Sequence, residues 1–95
     1  MARNSTKCEI FVYEKAIRLS AFAAKKLREK FVAIDRVKDT LIMEFNDDER
    51  GNKIHYYGST SIIGCLTDIK RLDLRVGRYE MQQIEGSDNE YTVSL

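Results

Sequence analysis

Eight of the chain's sixteen Lys and Arg residues fall between positions 14 and 38, against three acids. Cations on this scale neutralise phosphates along a nucleic-acid backbone without reading sequence. The residues that such a contact would use are Arg18, Lys25, Lys26, Arg28 and Lys30. A second group, Arg71, Arg75 and Arg78, would extend the patch. Positions 39–50 and 80–95 carry the compensating acids, so the formal net charge is only +1 and the isoelectric point near 7.7. That balance is far from the pI above ~9 of a dedicated nucleic-acid domain, and no finger, helix-turn-helix or RNA-binding aromatic motif accompanies it.

Other chemistry is thin. His55 is the single histidine, with Tyr56 and Tyr57 beside it and Glu44 on a neighbouring apolar alternation. General acid–base work would need a nucleophile within reach, and the sequence brings neither Cys65 nor Ser59 to it. Asn46–Gly51 has the acids of a calcium loop but places Arg50 where an oxygen ligand belongs, and no closing glutamate follows. No enzyme, cofactor or metal is therefore expected. Cys8 and Cys65 form no CxxC pair. Cys65 reads as a small buried hydrophobe, and both cysteines as reduced thiols of a cytoplasmic protein. Asn4-Ser5-Thr6 matches a glycosylation triplet by chance in that setting.

These groups must be positioned by one domain, because 95 residues make no more. Residues 1–6 are expected as a disordered tail. The longest apolar runs are four residues, too short for a membrane span. No glycine or proline interrupts the first fifty positions. Thr6-Lys7-Cys8-Glu9 fits a capping box. Ile10, Tyr13, Ile17, Ser20, Ala24, Leu27, Phe31 and Ile34 then recur in steps of three and four. The spacing predicts one helix from about Lys7 to about Val32. The β-branched and aromatic residues of Cys8–Tyr13 support an alternative, a strand followed by a helix from Glu14.

Downstream, Leu41–Phe45 and Ile54–Tyr56 alternate as the arms of a hairpin around Asn46–Asn52. A short helix is expected over Ser61–Lys70, then strands over Leu72–Met81 and Tyr91–Leu95. No internal repeat is visible. The predicted fold is α+β, with a long N-terminal helix and a second short helix packed on an antiparallel sheet of about four strands.

A helix of that length would span ~39 Å against a domain ~30 Å across. Its first half is apolar nearly all round, so a second molecule is expected to cover Phe11, Leu19, Phe22 and Ala23. The function that follows is a non-enzymatic protein–protein interaction module: a regulator or inhibitor that binds a larger protein and self-associates as a homo-oligomer through its N-terminal helix. Nucleic-acid binding along the basic face is the alternative.

Overall fold

Alternation with period two runs through most of the chain, and it places one apolar face per strand. The computed structural model describes residues 7–95, in which eight strands and two short helices form a closed, wholly antiparallel barrel. The elements are β1 (Glu9–Val12), β2 (Ala16–Leu19), α1 (Ala21–Lys26), β3 (Phe31–Val37), β4 (Thr40–Asn46), β5 (Asn52–Tyr57), β6 (Thr60–Gly64), α2 (Leu66–Arg71), β7 (Gly77–Gln83) and β8 (Glu90–Ser94). Around the barrel the order is β1-β2-β6-β5-β3-β4-β8-β7, and β7 pairs back onto β1. Closure leaves no free sheet edge.

The α+β expectation is overturned. Residues 7–32 hold a hairpin, six residues of helix and the start of β3 in place of a 26-residue rod. Ile10 and Ile17 lie seven apart, which suits a helical stripe. They also both face inward from adjacent strands, because Val12 pairs with Ile17 across a tight turn closed by the Tyr13 amide on the Ala16 carbonyl, 2.8 Å. Ser20 then ends the hairpin. Its Oγ accepts the amides of Ala23 and Glu9 and donates to the Lys7 carbonyl, so the cap of α1 is tied to β1. The alternative strand over Cys8–Tyr13 matches β1, although helix does not begin at Glu14. The capping box and the glycosylation triplet, like the expected tail, rest on residues outside those described.

Further on, the arms of the expected hairpin exist but do not pair with each other. β3 lies between β4 and β5. Helix α2 begins five residues later than expected, since Thr60–Gly64 is a strand; residues 72–76 are a connection whose Leu72 and Leu74 are buried.

The interior is filled by side chains, as eight strands allow. Ile10, Ile17, Leu41, Met43, Phe45 and Tyr91 are all essentially inaccessible to solvent, with Phe45 edge-on to Tyr91 at 5.8 Å. Acids, bases and amides point outward from most strands. No helix among the described residues is long and apolar enough to cross a membrane.

The chain is also an internal repeat, hidden from sequence. β1-β2-α1-β3-β4 and β5-β6-α2-β7-β8 are two ββαββ units, and their registers correspond. Ile10 faces Leu19 as Ile54 faces Ile63, and Val32 faces Phe45 as Met81 faces Val93. Between the units, Glu9 faces Glu80 as Lys53 faces Phe31. The pairs β2–β6 and β4–β8 each join an element to its own counterpart. A pseudo-two-fold axis therefore crosses the barrel through these two seams. Because β2 and β6 run antiparallel, α1 and α2 leave from opposite ends.

Candidate functional site

Helix α2 and the tip of the β1–β2 hairpin sit at one end of the barrel, and their apolar residues are not all used by the core. Tyr13 is 45% exposed, Leu66 39% and Val76 64%. With Ile69 and Leu74 they line a groove of ≈ 460 Å³, whose charged margin is Lys15, Lys70 and Glu14. Tyr13 also lines a second hollow of ≈ 240 Å³ with Phe11, Arg18, Ala21 and Ser59. The two hollows share Tyr13, and the pair of them makes a furrow centred on that residue. Cations outnumber anions along it, Lys15, Lys70 and Arg18 against Glu14.

The elements explain why these residues stand exposed. The β1–β2 turn holds Glu14 and Lys15 in solvent and leaves Tyr13 at the rim. In α2, Ile69 is the residue turned to the core, so Leu66, three positions earlier at the first turn, lies over the rim. Val76 sits in the connection just before Gly77 opens β7. Sequence had put Tyr13 on a helical stripe and Val76 in a strand alternation. The one available signal for their exposure was the glycine that breaks the second pattern.

The four residues expected to be covered by a partner are separated by the fold. Leu19 and Ala23 are buried in the chain's own core, whereas Phe11 is half-buried on the outer face of β1 and Phe22 is 38% exposed on α1. The rod proposed for self-association does not exist.

The basic residues are likewise divided, except that Arg18 and Arg78 both face Phe11 from the strands on either side of β1. Lys25 and Lys26 close α1, where Lys26 Nζ donates to Gln83 Oε1. Arg71 closes α2 at the opposite end, bonding Asp68 at 3.0 Å and the Ile34 carbonyl at 3.3 Å. Arg71 and Arg75 do not share a strand face. Arg28 lies over the Tyr56 ring, 4.4 Å from its centroid, and donates to the Ala24 carbonyl. Lys30 precedes β3, Arg78 is 3.8 Å from Glu9, and Arg18 faces outward opposite Phe11.

His55 points outward from β5 and faces Ile62, not Glu44. Tyr56 donates to the Glu29 carbonyl at 2.7 Å, and burial, reinforced by Glu29, pushes its phenol up to about 12. Cys65 is buried at the N-cap of α2, where burial raises its thiol to about 11. Cys8 is half-buried at the other end, also raised by burial, with Lys26 offsetting part of the rise. Both thiols are free. The Tyr91 hydroxyl is buried without a hydrogen-bond partner among the described residues.

No known family matches the chain, and neither a curated protein nor a solved structure is similar to it.

Proposed function

We propose that this protein is a non-enzymatic protein-binding module. It takes an extended segment of a larger partner into the furrow centred on Tyr13 and regulates or inhibits that partner by occupying the segment. The carrying observation is that Tyr13, Leu66 and Val76 come from three separate stretches of chain and meet, exposed, around one groove. Apolar anchors in a pocket with a charged rim are how interfaces concentrate their affinity. The excess of Lys15, Lys70 and Arg18 over Glu14 selects a segment with apolar side chains and acidic flanks, since complementary charge sets specificity and on-rate.

Nucleic acid along the basic residues has weaker support. Lys25 and Lys26 lie at the opposite end from Arg71, and Arg28 and Arg71 already have partners within the fold, so that only Arg18 and Arg78, flanking Phe11 from neighbouring strands, join the two groups.

Selection from a random displayed-peptide library tests the proposal. The expected winners pair large apolar residues with Asp or Glu, lose binding to a Leu66→Glu/Val76→Glu variant, and weaken with Lys15→Glu/Lys70→Glu. Equal enrichment on wild type and the double variant sinks it. A steep salt-dependent affinity for generic duplex DNA or RNA would favour the nucleic-acid reading instead.

A further inference from the structure

We infer that each ββαββ unit is built to pair with a counterpart that a second copy of this chain can supply, so that two chains exchange halves and form two barrels. Four seams join the halves: β1–β7, β2–β6, β3–β5 and β4–β8. All are backbone ladders, and none needs its two strands to belong to one chain. The same registers form whether residues 52–94 come from the same molecule or another.

Only the linker 47–51 decides between these outcomes, and it is under strain. Asn46 and Lys53 both face Phe31 from opposite sides, so the linker must cross the start of β3. It does so with Glu49 at φ 61 and Gly51 at φ 87. The left-handed region is disfavoured for a residue that carries a β-carbon, as Glu49 does. The crossing is held by Asn46, whose Oδ1 accepts the amides of Asp48 and Arg50, and by Arg50 on Glu44 at 2.9 Å. Short strained hinges favour exchange of identical elements between copies.

Removing Asp48, Glu49 and Arg50 tests this in the full chain. β4 and β5 are two strand spacings apart, ~10 Å. The two remaining linker residues reach about that far only when fully stretched, with nothing left to clear β3. The expected product is a dimer of doubled mass with the wild-type far-ultraviolet spectrum. As a second measurement, wild-type chain refolded from urea at high concentration should contain a dimer fraction that is absent on dilute refolding and persists until unfolding. A shortened variant that is monomeric with an intact barrel overturns the inference. If the variant never folds, the wild-type refolding decides: dimer upholds exchange, and monomer at every concentration overturns it.

Discussion

Gly51 lies so close to Val32 that a β-carbon on it would overlap the Val32 carbonyl oxygen. Its φ of 87° adds a conformational penalty for any other residue. Gly51→Ala should therefore cost about 2–4 kcal/mol, because neighbouring backbone cannot yield as a side chain would. A thermal midpoint lowered by more than ~10 °C is the expected reading in a domain this small. A shift under 2 °C would mean that the linker can rearrange freely.

The two helix starts are equivalent in place but not in chemistry. Ser20 caps α1 and binds β1, whereas the Cys65 side chain makes no cap bond to α2. Ser20→Ala should lose about 1–2 kcal/mol by urea titration, as cap deletions do. Cys65→Ala should cost less than Ser20→Ala, since it removes a small contact and a weak thiol bond to the Ile17 backbone but no bond to the helix end. The reverse order would contradict the roles assigned to both.

High pH should weaken the fold through Cys65 and Tyr56. Each keeps its proton longer in the native state than unfolded, with values of about 11 and about 12 against 9.0 and 10.0. The unfolded chain binds fewer protons across these windows, so stability falls as pH rises. Cys65 contributes fully below pH 9 and its share is lost between pH 9 and about 11, to an extent of order 2–3 kcal/mol. Tyr56 follows from pH 10. Cys65→Ala should flatten the first part of the profile, and an unchanged slope between pH 9 and 10 would remove Cys65 as its cause.

Joining Leu95 to Met1 and reopening the chain between Asp48 and Glu49 should give a folded monomer. β1 and β8 flank β7 as β5 and β4 flank β3, so the two-fold offers an equivalent crossing for the new link. Sedimentation and the far-ultraviolet spectrum read the outcome. A permutant that aggregates or stays unfolded would mean that the native linker is needed to close the barrel.

Much of the local structure was legible in the residues. The alternations of Leu41–Phe45, Ile54–Tyr56 and Tyr91–Leu95 found β4, β5 and β8, and the strand alternative over Cys8–Tyr13 found β1. Pairing was not legible. Nothing in Leu41–Phe45 says that β3 and β8 are its neighbours, because register across a barrel depends on long-range closure. The long helix failed for a physical reason as well. Ile10, Ile17, Ala24, Leu27 and Ile34 are all buried as the stripe implied, yet a tight hairpin and a six-residue helix bury them equally well. The repeat is hidden in the sequence because its halves share registers but few residues. The pair Ile10 and Ile54 is identical, whereas Ala24 corresponds in place to Ile69. Of the candidate site, Leu66 lay on a recognised stripe, but its meeting with Tyr13 and Val76 is a product of tertiary structure.

The β1–β7 seam has a consequence for synthesis. As the polypeptide leaves the ribosome, the first hairpin is made early but its outer strand has no neighbour until residues near 80 have emerged. Neither unit can complete a native sheet while the other is missing. Closure must then await the synthesis of residues 77–94, and the dominance of distant pairings makes for slow maturation. In the interval, an unpaired β1 is the segment most in need of a chaperone.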